Sequence, residues 1–423
     1  MSNPTNPFDQ PSDQHGLYIH VPFCNTRCGY CDFNTYTPQE LRSGELGSSQ
    51  GNTIDGYLSA LEKELQLAAE QWDREGRTGV DTVFFGGGTP SMLGHEGLTR
   101  VLRAVKRTVG LDAYAEVTTE SNPETTDPEY FDKLRAEGFT RISLGMQSAA
   151  GHVLKVLDRQ HTPGRPVNAA KEALAAGFEH VNLDLIYGTP TETDDDLRAS
   201  LEAVLSAGVD HVSAYSLIVE DGTAMARKVR RGELPRPDED VLADRYAMID
   251  NFLAEAGMHW YEVSNWAKEG GECRHNMLYW TGGTWWGAGP GAHGCVYLQG
   301  VEGTTRLVNA KRPATYWDGL LGENTASKHE SAPNLPGCVN MVERLSTHDL
   351  ITERIMLGLR VRAGLHRSVV GEGQAVASAI EKHVDLGLLE LEKRDGQEYL
   401  TLTEKGKYLA DGIVTDIILA MEE

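Results

Sequence analysis

The sequence predicts an α/β chain built on a parallel sheet, wound either as an open barrel or as a doubly wound sheet. Three observations carry that expectation. Short apolar runs recur as far as about residue 217, and helical patterns fill the gaps between them. Six strand–helix units in series need right-handed crossovers, which set neighbouring strands parallel. After about residue 340 the rhythm changes, which marks a second, smaller domain.

The expected strands are 17–21, 80–85, 115–119, 141–146, 180–186 and 211–217. Several are apolar on consecutive residues, as strands buried on both faces tend to be. Between the first two, Leu58, Leu61, Leu65 and Ala68 share one helical face, and Leu98, Val101, Leu102 and Val105 share another in the next gap. The segment DPEYFDKLRAEG carries its own punctuation: Asp127 suits the N-cap, Pro128 the first turn, and Gly138 the residue past the end. Helices over 163–176 and 194–207 stop at Gly177 and Gly208 in the same way.

The organisation that follows has a flexible N-terminus (1–15), a main α/β domain (16–302), a linker region (303–340) rich in Pro, Gly and polar residues, and a C-terminal domain (341–423). Residues 40–54 read as a flexible surface loop. In the C-terminal domain, helices are expected over 349–360 and 374–386, a hairpin pairs 388–392 with 398–402, and Thr403 caps a last helix. That order resembles a winged-helix module. It lacks a strong basic patch, so a structural or lid role is expected rather than DNA binding.

A net charge of −23 argues against broad nucleic-acid binding, which leaves a basic footprint. No apolar, basic-led leader opens the sequence and no run of 18 apolar residues occurs, so a cytoplasmic protein without a transmembrane segment is expected. In a reducing compartment, clustered cysteines suggest metal or catalysis rather than disulfides. Cys24, Cys28 and Cys31 are such a cluster, on the loop that leaves the first strand, where parallel α/β folds build their sites. Their C-x3-C-x2-C spacing lacks the second knuckle of a structural zinc site, and Cys273, Cys295 and Cys338 are far away in sequence. Three thiolates suit a [4Fe-4S] cluster with one iron open to an exchangeable ligand. Zinc completed by His20 or Asp32 is the alternative.

This loop resembles that of the radical S-adenosylmethionine (SAM) superfamily, which leaves one iron open for SAM. One unit later, FFGGGTPSML resembles the superfamily's glycine motif for the amino-acid end of SAM, where successive N–H groups can meet a carboxylate. Glu120, Gln147, Arg159 and Asp184 stand at or just beyond later strand ends, a ring around one mouth.

The strings YIHVPFC, FFGGGTPS, ESNPET, RISLGMQS, DLIYGTP, SAYSLIVEDGT and YEVSNWA narrow the resemblance to the oxygen-independent coproporphyrinogen III oxidase family. It implies a radical SAM partial (β/α)6 barrel joined to a small, mostly helical, winged-helix-like C-terminal domain. It also implies that Cys24, Cys28 and Cys31 hold the cluster, and that Tyr18, Tyr30, Gly87, Gly88, Thr89, Glu120, Gln147, Arg159 and Asp184 contact SAM. Two features separate the chain from the oxidases. Phe33 stands where they carry a fourth cysteine, and the segment before Tyr18 is short. RHNMLYW (274–280) is instead similar to the mark of the heme chaperones of this family, which pass heme to an acceptor protein. That makes His275, Asn276, Tyr279 and Trp280 the expected heme contacts, with GTWWGAGPGAHG (283–294) and its His293 lining the macrocycle. The expected function is heme binding and transfer, with cluster, SAM and heme as cofactors and cargo. The alternative is oxidative decarboxylation of coproporphyrinogen III by a SAM-derived radical. A radical SAM enzyme acting on RNA is a remoter one, opposed by the acidic charge.

Overall fold

The protein is described from a computed structural model that covers residues 13–42, 49–74, 76–159 and 161–422. Of the expected flexible N-terminus, residues 1–12 lie outside the described residues, and His15 already belongs to a strand. Residues 43–48 of the expected surface loop also lie outside them. The remainder of that loop is ordered by caps: Ser49 accepts from the Gly51 N–H and Thr53 from the Gly56 N–H, both at 3.0 Å.

The first strands are β1 (His15–Val21), β2 (Trp72–Asp73), β3 (Val80–Gly87), β4 (Leu111–Ser121), β5 (Arg141–Gln147), β6 (His180–Tyr187) and β7 (His211–Ser216). All except the two-residue β2 lie side by side and parallel, in the order β1-β3-β4-β5-β6-β7. Helices Ile54–Gln71, Gly94–Arg107, Pro128–Glu137, Arg165–Ala175 and Asp194–Ala207 make the crossovers. The punctuation of the third behaves as its residues dictate. The Asp127 carboxylate accepts the Tyr130 N–H at 2.8 Å, and Gly138 takes the left-handed conformation at φ 112°.

The sheet stays open and grows at both edges. Beyond β7 it adds β8 (His259–Glu262) and β9 (Asn265–Ala267), which form an antiparallel hairpin with β9 against β7. Beyond β1 it adds β10 (Thr284–Ala288), parallel to β1, then β11 (His293–Leu298), β12 (Thr304–Asn309) and β13 (Val339–Arg344), all antiparallel. The region 303–340 is therefore not a plain linker. It supplies β12, the start of β13 and the helix Pro313–Leu321, and its Leu307, Tyr316 and Leu335 join the main core.

One face of the sheet packs under the helices through Leu17, Ile19, Val83, Phe85, Val117, Ile142, Leu183 and Val212. Residues alternate across a strand, so Tyr18, Phe84, Glu120, Ser143 and Asp184 face the lumen. Beyond β13 a second core forms from Ile355, Leu365, Ile380, Leu400 and Ile417. It lies between the helices Thr347–Gly358, Gln374–Asp385 and Ala410–Met421 and a small antiparallel sheet, β14 (Leu365–His366), β15 (Leu389–Arg394) and β16 (Gln397–Leu402), in the order β14-β16-β15. The Thr403 hydroxyl accepts the Gly406 N–H at 2.9 Å, but a short 3-10 turn, Gly406–Leu409, stands between it and the last helix, so it does not cap that helix. Among the described residues, no helix is long and apolar enough to cross a membrane.

Candidate functional site

Loop geometry at the end of β1 brings the three cysteines under common restraint. Cys24 N–H donates to the Tyr36 carbonyl at 3.1 Å, and Tyr36 N–H to the Pro22 carbonyl at 2.7 Å, which folds the loop back on itself. Its middle is held from two sides: Gly29 N–H donates to Leu157 O at 3.2 Å and Met225 N–H to Gly29 O at 2.8 Å. Its far end is clamped by Asn34, whose amide donates to the Pro290 and Lys311 carbonyls at 2.9 Å each. Cys24 is buried and its Sγ accepts from the Thr89 hydroxyl at 3.6 Å, while Cys28 Sγ accepts from Arg159 Nη1 at 3.5 Å. Burial pushes the Cys24 thiol up to about 11, against the pull of Thr89, and raises Cys31 as well.

Gly88 fits against this loop so closely that a Cβ there would lie 2.6 Å from Phe23 O and 3.1 Å from Cys24 Sγ. Its N–H donates to Val21 O at 2.8 Å, so the glycine run at the end of β3 is laced to the end of β1. Gly87, at φ 106°, sits in a conformation that favours glycine, and its N–H donates to Glu120 Oε2 at 3.2 Å. Glu120 at the end of β4 is raised to about 8, by burial first and then by the charge of Asp184. Asp184 on β6 is itself raised by burial, although Ser143 Oγ donates to it at 3.1 Å and Asn182 Nδ2 at 2.6 Å. Gln147 ends β5 at φ 69°, rare for a side-chain-bearing residue, where the β5–β6 register slips. Arg159 reaches across from the next loop, its Nε donating to His161 Nε2 at 3.0 Å. Tyr18 and Tyr30 flank the group. The Tyr18 hydroxyl meets His20 Nδ1 at 3.0 Å, and burial raises the Tyr30 phenol.

The predicted cysteines and the predicted strand-end residues thus gather at one mouth. His20 is different: its Nδ1 meets Tyr18 and its Nε2 meets the Asn34 carbonyl at 2.9 Å, so both ring nitrogens are engaged. Asp32 is exposed. Among the described residues no three His, Cys, Asp or Glu side chains converge on a single metal ion.

The RHNMLYW string departs from expectation. Residues Arg274–Trp280 form a short helix under the N-terminal ends of β1 and β3, at the floor of the lumen rather than its mouth. His275 is 1% exposed. Its Nδ1 meets Thr82 Oγ1 at 2.8 Å, its Nε2 meets the Tyr279 hydroxyl at 2.7 Å, and its ring stacks on Phe84 at 5.2 Å. Burial lowers its pKa to about 4. In this conformation both ring nitrogens are engaged, so iron ligation by His275 would require the Thr82 or Tyr279 contact to open. A buried pair lies beneath it: Glu116 accepts from Arg141 Nε at 2.9 Å and from the His275 N–H at 3.0 Å, while Arg141 Nη2 donates to Gly271 O at 2.8 Å. Trp280 and Asn276 are half-buried on the same helix, Trp280 beside Arg354 and Gly358 of the C-terminal domain.

Sequence reasoning missed the polar ladder that supports Asp184. Asn182 Nδ2 donates to Ser143 Oγ at 2.7 Å and Ser213 Oγ at 3.0 Å, and its Oδ1 accepts from His211, which meets Tyr261 below. A signal was available: Asn182 and Asp184 alternate in VNLDLIY, polar on one face of an otherwise apolar strand. Glu64 was missed too. It is fully buried, and it accepts from Trp286 Nε1 at 3.2 Å, Gly289 N–H at 2.8 Å and Asn309 Nδ2 at 2.8 Å, with the Tyr316 hydroxyl as a fourth partner. This fixes the glycine-rich turn after β10 against the helix Ile54–Gln71. A charge inside the Leu61–Leu65 stripe was its mark.

The Radical SAM superfamily profile matches residues 18–204. The heme chaperone HemW of Mycobacterium tuberculosis is 50% identical over 408 residues, covering 96% of each chain. The heme chaperone HemW of Bacillus subtilis is 30% identical over 403 residues, covering 94% of this chain and 97% of its own. Among solved structures, the coproporphyrinogen III oxidase HemN from Escherichia coli, a radical SAM enzyme, superposes with a TM-score of 0.75 at 21% identity, over 96% of this chain and 90% of its own, a likeness of fold. The chain belongs to the HemW family of the radical SAM superfamily.

Proposed function

We propose that the protein is a heme chaperone, which binds heme and passes it to an acceptor protein while carrying a [4Fe-4S] cluster and SAM. The observation that carries this reading is the 50% identity, end to end, with a protein named as a heme chaperone. The donor set fits a cluster better than zinc. Three thiols share one tethered loop, His20 has both nitrogens engaged, and the other cysteines, Cys273, Cys295 and Cys338, are buried elsewhere. Cys24, Cys28 and Cys31 would hold the cluster, which with SAM supplies one-electron chemistry at its open iron. Tyr18, Tyr30, Gly87, Gly88, Thr89, Glu120, Gln147, Arg159 and Asp184 would hold SAM. Carboxylates Glu120 and Asp184 suit its cationic and hydroxyl groups, and Arg159 suits its carboxylate.

Coproporphyrinogen oxidation is the second reading, favoured by the fold shared with HemN. Against it stands Phe33, 64% exposed, where the oxidases carry a cysteine. The test is anaerobic reconstitution followed by heme binding and coproporphyrinogen turnover side by side. We expect about four irons per chain, lost in Cys24→Ala, Cys28→Ala or Cys31→Ala but kept in Cys338→Ala, with heme bound and no decarboxylation. Turnover by the unaltered protein would overturn the reading.

A further inference from the structure

The lumen face of the barrel does not end at β1. Trp285 on β10 pairs in register with Gly16, a lumen position, and Trp286 with Leu17, a core position. Trp285 also pairs with Cys295 on β11, Cys295 with Arg306 on β12, and Val308 on β12 with Met341 on β13. Residues on one strand face alternate, so Trp285, His293, Cys295, Tyr297, Arg306, Val308 and Met341 lie on one continuous surface with the lumen. Its inner border is aromatic, with the Trp285 ring edge-on to Tyr279 at 4.6 Å.

This surface has the composition of a site for a flat apolar anion. Tyr297 is 40% and Met341 43% exposed, large apolar groups left open on a sheet face that would ordinarily be covered. Four adjacent strands make it wide enough for a porphyrin ring. His293 is exposed at its upper end, beside the cysteine loop: Asn34 of that loop donates to Pro290 O at 2.9 Å. Trp285 Nε1 fixes the His293 backbone by donating to its carbonyl at 2.9 Å, leaving the ring outward. Lys311 stands at the same rim, its carbonyl accepting from Asn34, and its ammonium has no ion-pair partner among the described residues. Arg306 is on the face itself but is paired with Glu353 at 2.7 Å and Glu343 at 3.8 Å, which leaves Lys311 as the cation of this rim. An imidazole for iron, aromatic and aliphatic area for the ring, and a cation for a carboxylate are the three things a heme requires. Cys295 is the other iron-seeking group here, but it is only 7% exposed.

We propose that heme seats on the lumen-side face of β10–β13 with His293 as its iron ligand, a placement that rests on the heme chaperone reading and gives it an address. Desolvation and the nearby cations Lys311 and Arg306 lower the His293 pKa, which keeps the imidazole neutral and able to ligate at pH 7.

The test is an absorbance titration of the full chain with hemin and, in parallel, with metal-free protoporphyrin IX. The unaltered protein should bind about one hemin per chain. His293→Ala should shift the Soret band and weaken hemin binding at least tenfold while leaving protoporphyrin binding within twofold, and imidazole should restore the band in His293→Gly. Met341→Glu, at an exposed position that folding tolerates, should weaken both ligands at least tenfold. Unaltered protein that binds hemin, with neither variant changing affinity or spectrum, overturns this placement and leaves the chaperone reading intact. Unaltered protein that binds no hemin overturns both.

Discussion

Replacing Glu120 by glutamine tests the electrostatics of the mouth. The Glu120 carboxylate accepts the Gly87 N–H at 3.2 Å, and burial together with Asp184 raises its pKa from 4.5 to about 8. Holding a proton at pH 7 that would otherwise leave at 4.5 costs about 3 kcal/mol, at about 1.36 kcal/mol per unit. Because the folded-state pKa is raised, the stability this group contributes is full below about 4.5 and is lost as pH rises through about 8. The ligand-free protein should therefore lose stability between pH 5 and 8, and Glu120→Gln, which has no proton to release, should lose less over the same range. SAM binding runs the other way. SAM is a net cation and selects the ionised carboxylate, so its affinity should rise by up to about tenfold per unit from pH 6 to 8 and level off above. Glu120→Gln should flatten that slope and weaken SAM about tenfold to hundredfold at pH 8, the worth of a charge-assisted hydrogen bond. Asp184→Asn removes the second cause of the shift and should move the bend to lower pH. Thermal scans and equilibrium SAM binding at pH 6, 7, 8 and 9 measure all of this. A wild-type affinity that does not change across that range, or a slope that survives in Glu120→Gln, refutes the reasoning.

Two further substitutions probe the supports of the mouth and the floor. Gly88→Ala puts a methyl 2.6 Å from Phe23 O, so the cysteine loop must shift; anaerobic iron analysis should find well under half the wild-type iron in a protein whose circular dichroism is unchanged. Glu116→Gln leaves the Arg141 guanidinium buried without its countercharge and should cost about 3–5 kcal/mol in denaturant melts, with Tyr and Trp fluorescence near the floor changing first; a loss below 1 kcal/mol would show that the pair does not pin the floor helix.

The parallel strands were legible because each holds a run of apolar residues and most are followed within a few residues by a glycine, a proline or a capped helix. The mouth was legible for the same reason: in such a sheet, polar groups at strand ends have only one place to meet. Legibility stops where strands become short. Residues His259–Glu262 and Asn265–Ala267 are too brief to show a period, and Thr284–Ala288 hides among glycines and tryptophans. The place of His275 was hidden for a different reason: a histidine, a tyrosine and a tryptophan at helical spacing do not say which end of the barrel their helix occupies, and the Glu116 contact that fixes it is distant in sequence. Thr403 was one turn off because a 3-10 turn, Gly406–Leu409, precedes the helix that begins at Ala410.

The position of β10 in the sheet has a consequence for biosynthesis. β1 is among the first elements to leave the ribosome, and one of its edges is met early by β3, but the other waits for β10, more than 260 residues later. At about 5–20 residues per second, that edge stays unpaired for roughly 13–50 s. The outer clamp of the cysteine loop, from Asn34 to Pro290 and Lys311, is made later still. During that interval the three thiols are already made, and the middle of their loop is tied down first, by Leu157 and then by Met225. Closing the clamp afterwards fixes the far end of a loop that was free while most of the chain was made, so the order of synthesis sets when the cysteine loop takes its final form.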